Sequence, residues 1–301
     1  MPTEEATQAA DAAAAGQSSQ QNLERPSAEQ IYRQVLSNAE DELKRTAPSL
    51  FISGFAGGTF MGLSALGTAI ALALLGNGPV ASFCAKLFYP LGFIAVILGR
   101  AQLFTENTLY PVALVLARKK HVWSTLRLWS LVLPGNVLGA AAFAGLASYT
   151  PALNPKILEA LVHLGVEASQ HPVATIFWSG VMGGWMIASV AWLVSGSHSI
   201  TGSVMIIFSL AFVVGLGGFA HCIAGSGEVI AAVLTHHLPW WAYPRWLGLA
   251  VAGNVCGGVL MVTVLEYGQV IGDSDLRKIE DQRPGERRER LNSSFTGLPP
   301  I

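Results

Sequence analysis

The chain has 301 residues, of which 51% are hydrophobic and only 12% are charged, whereas about a quarter of the residues of a soluble domain carry a charge. This composition excludes an ordinary soluble domain, and a net charge of −1 gives no basic surface for nucleic acid. Cys84, Cys222 and Cys256 are scattered through apolar sequence, and an odd number of cysteines without paired spacing predicts neither a disulfide framework nor a metal site.

The N-terminal region, residues 1–26, is acidic and rich in Ala, Ser and Gln, with no basic start before an apolar core. We therefore expect a disordered tail rather than a signal peptide. Residues 27–48 place Leu36 and Leu43 among charged residues, behind a capping Ser27, which predicts a short cytoplasmic or interfacial helix. The favoured interpretation of this segment is a solvated leader that simply enters the membrane.

Six apolar segments follow within residues 49–268, and a span needs roughly 20 mostly apolar residues. They are Leu50–Leu75, Leu87–Leu116, Leu126–Tyr149, Val173–Val194, Ile200–Leu234 and Trp246–Tyr267. No charged residue occurs from Ala168 to Gly227, so the sequence predicts an all-α integral membrane protein. Residues 150–172 are interpreted as a polar connection, and residues 269–301 as a charged cytoplasmic tail.

The basic residues predict the orientation, because Lys and Arg concentrate in cytoplasmic loops. Clusters lie in ARKKH (117–121) and in the tail, whereas the connections before the fourth and sixth segments hold Lys156 and Arg245 as their single basic residues. A multi-pass protein of six spans with both termini in the cytoplasm satisfies this rule. The aromatic cluster LPWWAYPRW (238–246) then lies at the outer interface, where Trp and Tyr are enriched.

The two halves of this region share motifs. GNVLGA (135–140) matches GNVCGG (253–258), and GFAGGTFMG (54–62) corresponds to GVMGGWMIA (180–188). Two copies of a three-span unit must enter the bilayer in opposite senses, which predicts a 3+3 inverted repeat of aquaporin-like architecture, with helices 2 and 5 broken. We interpret the Gly-Asn motifs as sites of close helix packing.

The predicted breaks are LFTENT (103–108) and the Gly-rich GLGGFAHCIAGSG (215–227). Backbone that leaves a helix at membrane depth is tolerated where it is buried or lines a wet cavity, so we expect the breaks to face each other across one pathway. An external turn at LFTENT would leave Leu87–Gly99 too short to span. His221 is the candidate proton relay, because imidazole titrates near physiological pH, and Thr105 can supply a hydroxyl.

Other residues near the breaks have expected roles. Leu103 and Phe104 would form an apolar constriction. Because an unpaired charge at this depth is costly, we predict that Arg100 pairs with Glu106 or Glu228. No nucleophile, carboxylate pair or ligand cluster occurs at one depth, so the sequence predicts no enzyme, metal or cofactor site.

Together these motifs resemble those of the formate/nitrite transporter family. In that family the second span is broken by a loop similar to LFTENT (103–108), and the fifth by a segment similar to GFAHCIA (218–224). Gly-Asn elements lie in its third and sixth spans. The resemblance covers about Ala28 to Tyr267, and the acidic tails with FTENT are similar to those of a subgroup in the bacterial inner membrane.

The resemblance implies a homopentamer with one pore per protomer, which conducts small monovalent anions such as formate, nitrite or hydrosulfide together with protons. Thr105 matches the loop threonine, and His221 matches the central histidine, which would supply a proton as the anion passes the constriction. The constriction residues implied by position are Leu103, Phe104, Tyr89 and Phe93, the last two at the cytoplasmic slit.

The chain also departs from the family pattern. Ala220, Gly225 and Gly184 stand where many relatives carry Glu, Asn and Asn, while Glu106 adds an acid to the loop beside Asn107. The substrate is therefore not carried over from the best-known members. A channel for small neutral solutes and a scaffold of the same fold without transport remain open, although the neutral-solute channels use paired Asn-Pro-Ala half-helices that this sequence lacks.

Overall fold

The computed structural model describes residues 26–76, 78–116, 122–264 and 268–270, and nearly all of them are helical. The helices are α1 (Ala28–Lys44), α2 (Ala47–Leu75), α3 (Pro79–Lys86), α4 (Pro90–Leu98), α5 (Tyr110–Leu116), α6 (Val122–Tyr149), α7 (Pro155–Gln170), α8 (Val173–Ser195), α9 (Ile200–Leu216), α10 (Ala224–Leu234) and α11 (Ala242–Cys256). A 3-10 turn (Glu106–Thr108) precedes α5, and a π-helix (Gly257–Val264) continues α11. The predicted tails and the ARKKH cluster lie outside the described residues.

Helix α1 is packed on the body of the protein. Its first turn is closed by a capping box, in which Ser27 N donates to Gln30 Oε1 at 2.7 Å. The apolar face of α1, formed by Val35, Leu36 and Ala39, is buried against α5 and α8. The expectation of a solvated leader is therefore wrong, because the apolar side chains of α1 have a partner surface.

Four helical stretches of the described chain are long and apolar enough to cross a membrane. They are Ala47–Leu75, Pro79–Leu98, Val122–Tyr149 and Val173–Ser195, and Ile200–Leu216 and Ala224–Leu234 are shorter apolar helices. The second stretch begins at Pro79 rather than at the predicted Leu87, since proline is readily accommodated in the first turn of a helix. The fold is thus that of an all-α membrane protein.

The stretch predicted as a polar connection, residues 150–172, contains the helix α7. Asn154 caps its start, with Oδ1 accepting a hydrogen bond from Lys156 N at 3.0 Å. Leu161 and Leu164 are buried in a cluster that α7 shares with α2, α6 and α10. The prediction missed the helix because its apolar positions, spaced three and four residues apart, are interspersed with Lys, Glu and His.

Contacts between the helices define two opposite faces of the molecule. On the α1 face, Asn38 Nδ2 of α1 donates to Ser195 Oγ at the end of α8, at 3.4 Å. On the α7 face, Arg245 Nη1 near the start of α11 donates to Ser169 O near the end of α7, at 3.4 Å. Helices α3 and α4 follow α2 and run inward from the α7 face, toward the first break.

The aromatic cluster at the start of α11 divides between two environments. Trp240 and Trp241 are 77% and 53% exposed near the α7 face, as expected for side chains at a membrane interface. Trp246 is buried instead. Its ring lies against Gly225, where an added Cβ would come within 2.7 Å of the indole, so Trp246 does not belong to the predicted interfacial belt.

The repeated Gly-Asn motifs bring helix backbones into contact. A Cβ added at Gly135 of α6 would lie 2.7 Å from Phe51 O of α2, and one at Gly253 of α11 would lie 2.9 Å from Gly180 Cα of α8. The predicted close packing through small residues is therefore present in both halves. It places an asparagine, next to each glycine, at the centre of the molecule.

Candidate functional site

The first break, residues 99–109, joins α4 to α5 and is rich in polar side chains. Its backbone leaves the helix at Arg100, which has a left-handed φ of 52°. Asn107 Nδ2 donates to Gln102 Oε1 at 2.8 Å, and Thr108 Oγ1 donates to Thr105 O at 2.7 Å. The loop therefore closes many of its hydrogen bonds with its own side chains.

The second break, residues 217–223, joins α9 to α10 and is built mainly from small residues. Gly218 has a φ of +61°, a conformation that L residues rarely adopt. Ala220 N donates to Ser179 Oγ at 3.4 Å. This break takes its hydrogen-bond partners from other helices, because it carries few polar side chains of its own.

Asn136 of α6 holds the first break in place. Its Nδ2 donates to Gly54 O at 2.7 Å and to Gln102 O at 2.8 Å, and its Oδ1 accepts from Phe104 N at 2.9 Å. The side chain is fully buried. One asparagine thus bonds to backbone groups of the first break that have no hydrogen-bond partner within a helix.

Asn254 of α11 repeats this arrangement at the second break. Its Nδ2 donates to Gly180 O and Ala220 O, both at 2.8 Å, and its Oδ1 accepts from Cys222 N at 2.9 Å. The sequence interpretation assigned the Gly-Asn motifs to packing and missed this role. The sequence contains a signal for this role, because an asparagine occurs at the corresponding position of two apolar segments.

His221 and Thr105 bring the two breaks into contact. His221 is 2% exposed, and its Nε2 lies 2.8 Å from Thr105 Oγ1. Ala224 N donates to His221 Nδ1 at 3.0 Å, so in the neutral imidazole the proton is on Nε2 and is donated to the threonine oxygen. The Thr105 hydroxyl then has its own proton to donate to another group.

A cavity of about 100 Å³ approaches His221 from the α7 face. Its ionisable lining residues are Lys86, Tyr89, Glu167, His171, His221 and Glu228. Trp246 and Gly225 also line this cavity, although the sequence interpretation gave Trp246 no part in the site. The indole ring occupies the space beside Gly225, which explains why this position is a glycine.

Tyr89 lines this cavity together with His221, and Phe93 packs behind both of them. The ring centroids of Tyr89 and Phe93 are 5.5 Å apart, and the Phe93 ring meets the His221 imidazole edge-on at 4.9 Å. Both residues therefore belong to the side of the α7 face. The predicted orientation, with both termini in the cytoplasm, would make that face the outer one, so it is not compatible with the predicted assignment of Tyr89 and Phe93 to a cytoplasmic slit.

Leu103 and Phe104 are enclosed within the protein. Leu103 is fully buried, and the Phe104 ring packs edge-on against Trp129 of α6 at 5.7 Å. Trp129 Nε1 in turn donates to Asn107 O at 2.9 Å. The two residues are thus fixed directly beside Thr105, where a constriction is predicted.

The predicted pairing of Arg100 with Glu106 or Glu228 is not formed. The ion pairs of the described residues are Arg33–Glu29, Lys44–Asp41 and Arg45–Glu42. Arg100 is exposed at the end of α4, whereas Glu106 is buried in the loop and Glu228 lines the cavity from α10. The three residues therefore lie in different parts of the structure and form no ion pair with one another. Within the same ranges, no group of three His, Cys, Asp or Glu side chains could hold a metal ion.

Comparison of the sequence with known proteins identifies relatives over most of its length. The formate/nitrite transporter family profile matches residues 29–268. The inner membrane protein YfdC of Escherichia coli (strain K12) is 31% identical over 270 residues, covering 88% of this chain and 86% of YfdC. The formate channel BtFdhC of Bacillus thuringiensis is 25% identical over 238 residues, covering 76% of this chain and 90% of the channel.

Solved structures share the fold. An FNT family ion channel superposes with a TM-score of 0.72 at 17% identity, covering 79% of this chain and 98% of that one. A pentameric formate channel with formate bound superposes with a TM-score of 0.65 at 19% identity, covering 75% and 98%. These similarities agree with the helical arrangement described above.

Proposed function

The chain belongs to the formate/nitrite transporter family, and from this premise we propose that it conducts a small monovalent weak acid across the bacterial inner membrane. Its relatives are transporters and channels rather than enzymes. The formate channel among these relatives supports formate, or an anion of similar size and charge, as the substrate. The proposed pathway runs between the two breaks, with protons as the second transported species.

The proposed architecture is a six-span 3+3 inverted repeat with both termini cytoplasmic. The support for the repeat is the pair of asparagines, Asn136 and Asn254, each of which makes the same three hydrogen bonds to a break and to a neighbouring helix. A homopentamer is proposed because a structural neighbour is a pentameric channel. Each protomer would then contain its own pore.

The single observation that carries the proposal is the 2.8 Å contact between Thr105 Oγ1 and His221 Nε2. In the proposed pathway, an anion that enters the cavity passes His221, which lines it, and meets the threonine hydroxyl before the apolar Leu103 and Phe104. Crossing this apolar region as the neutral acid HA avoids the cost of desolvating a charge. The anion therefore needs a proton at this point, and the Thr105 hydroxyl is placed to deliver it.

The relay starts with His221 protonated on both ring nitrogens, so that the ring has one proton to give and is neutral afterwards. Nε2–H passes its proton to Thr105 Oγ1 while the hydroxyl proton moves to A⁻, which forms HA and leaves a neutral imidazole. Protonation of Nδ1 breaks the hydrogen bond from Ala224 N, and this bond re-forms when the ring returns to the Nε2–H tautomer. A proton from the cavity then restores the starting state.

The test is formate flux into proteoliposomes for the wild type, His221→Ala, Thr105→Val and Thr105→Ser. We expect His221→Ala to lower the flux by about 100-fold, the lower end of general acid–base effects. Thr105→Val should lower it to a similar extent, because valine has no hydroxyl to deliver the proton to the anion, and Thr105→Ser should stay near the wild type.

Other results would contradict the proposal. Formate flux that is unchanged in His221→Ala would rule out the histidine relay. A wild-type protein that conducts no small anion would favour a transport-silent scaffold of the same fold. Flux of urea or glycerol without anion flux would favour a neutral-solute channel.

A further inference from the structure

Glu106 is a buried acidic residue without a fixed partner in the described part of the chain. It lies in the first break next to Thr105 and is 8% exposed. No hydrogen bond or ion pair to its carboxyl group is found among the described residues, whereas Asn107 and Thr108 beside it are both bonded. An ionisable side chain left in this state at membrane depth is costly, and it is a candidate for function.

Glu106 lies on the opposite side of the loop from the cavity that reaches His221. Its electrostatic neighbours are Glu42 of α1 and Tyr110 of α5. The Tyr110 hydroxyl lies 3.4 Å from Ala191 O and 3.5 Å from Ser195 Oγ, near the end of α8 on the α1 face. An ionisable side chain therefore lies toward each face, Glu106 toward the α1 face and His221 toward the α7 face, with Thr105 between them.

The cationic groups that the structure describes on this side are bonded elsewhere. Arg45 pairs with Glu42 at 3.0 Å, and Arg127 of α6 donates to Arg45 O at 3.2 Å. Helix α8, which also packs here, contains no Asp, Glu, Lys or Arg. Within the described ranges, the titratable and charged groups on this side are thus Glu42, Arg45, Tyr110 and Arg127, and none of them forms an ion pair with the Glu106 carboxyl group.

We propose that Glu106 is the proton-exchanging residue of the pathway on the side of the α1 face, as His221 is on the side of the α7 face. A molecule HA that has crossed the loop gives its proton to the Glu106 carboxylate and leaves as A⁻. Protonated Glu106 then releases the proton to water on that side. In the reverse direction, protonated Glu106 gives its proton to A⁻. This inference rests on the proposed function.

The experiment measures the initial rate of formate entry from the α7 side at a fixed pH there, while the pH on the α1 side is varied. Right-side-out and inverted membrane vesicles provide both orientations, and an N-terminal tag reports which side carries α1. Bulk deprotonation of formic acid after entry does not affect an initial rate. A dependence on the pH of the α1 side therefore reports a group inside the protein.

In the wild type we expect entry to speed up as the pH on the α1 side rises, because a deprotonated Glu106 can accept the proton. Glu106→Gln keeps the side-chain size but cannot exchange a proton, so entry should fall by at least about tenfold and lose this pH dependence. Glu106→Asp should retain the dependence. Asp41→Asn, the same chemical change at a 73% exposed carboxyl group on α1, should match the wild type.

The outcomes separate this inference from the proposed function. Wild-type flux that requires His221 but is the same in Glu106→Gln, with its pH dependence intact, would overturn the role of Glu106 alone. A wild type without formate flux would overturn the proposed function itself. Should Glu106→Gln fail to fold, the wild-type profile decides, since entry that is indifferent to the pH on the α1 side contradicts the inference.

Discussion

The two breaks meet at the centre of the protein but are stabilised by different means. The first carries six polar side chains between Arg100 and Thr108 and bonds to itself through Gln102 and Asn107. The second carries glycines and bonds outward, to Ser179 and Asn254. Both leave their helix through a left-handed residue, which is Arg100 in the first and Gly218 in the second.

The comparison shows that the residues that hold the backbone of each break are different from the residues that could take part in proton transfer. An asparagine with three hydrogen bonds fixes each break, which leaves the remaining side chains free to differ. The first break presents Thr105 and Glu106, and the second presents His221. The asymmetry of the proposed pathway thus comes from side chains placed on two backbones that are held in the same way.

The strongest test of this comparison replaces each asparagine with leucine. Asn136→Leu and Asn254→Leu each remove three side-chain hydrogen bonds to backbone groups, two of them to a break, and we expect each to lower the free energy of unfolding by about 4 kcal/mol. Denaturant unfolding in detergent measures this. Asn38→Leu, which removes one part-buried hydrogen bond to Ser195 and one exposed hydrogen bond from Gln34, should cost about 1 kcal/mol.

Equal losses of unfolding free energy in Asn136→Leu and Asn254→Leu would show that the two asparagines stabilise their breaks to the same extent. A loss at Asn254 no larger than that at Asn38 would show that the glycine-rich break does not depend on its asparagine. The two breaks would then be stabilised by different elements, against the comparison drawn above.

A second test concerns the glycines that face these asparagines. A Cβ at Gly58 would lie 2.6 Å from Asn136 C, and one at Gly184 would lie 2.7 Å from Asn254 C. Because backbone must move to admit a methyl group, Gly58→Ala and Gly184→Ala should each destabilise the protein by about 2 kcal/mol. Thermal unfolding in detergent would detect the change.

Gly145 of α6 is the matched control, because no atom lies within 4 Å of its Cβ position. Gly145→Ala should stabilise the protein by about 0.5 kcal/mol through reduced backbone freedom in the unfolded chain. If Gly184→Ala behaved like Gly145→Ala, close contact between α8 and α11 would not be required.

The smallest expected effect compares the two left-handed residues. Gly218→Ala meets no atom within 4 Å, so its cost is backbone strain alone, about 1 kcal/mol at a φ of +61°. Arg100→Gly should do the opposite and stabilise the first break by about 0.5 kcal/mol, since glycine tolerates this conformation. Unfolding midpoints of the two variants should therefore move in opposite directions, and a shift in the same direction would contradict the matched geometry.

Much of the fold was predictable from particular residues. The charge-free runs predicted the membrane-spanning helices, and the family recognised from LFTENT and GFAHCIA is confirmed by the family profile. The contact between Thr105 and His221 also agrees with the expectation that the breaks face each other. These features depend on composition and on helix-breaking residues, which are local properties.

The predictions failed where a partner distant in sequence decides the outcome. The pairing of Arg100 was predicted from the cost of a buried charge, but its left-handed backbone at the end of α4 leaves the side chain exposed. Helix α7 was missed because its apolar positions are interspersed with Lys, Glu and His, and its buried face packs partly on α2 and α10, which are distant in sequence. Trp246 was assigned to the interface by composition, although tertiary packing places it beside Gly225.

The sequence by itself determined the membrane class, the position of both breaks and the choice of Thr105 and His221 as the residues that face each other there. Apolar runs and helix breakers act within one segment, which is why they can be recognised from sequence. Only the tertiary structure decided what supports the breaks, with each asparagine bonded to a backbone N–H that lies 32 residues away. It also left Glu106 buried beneath α1, without a cationic partner among the described residues. Hydrogen-bond partners and charge neighbours belong to the packed helices, and no single segment specifies them.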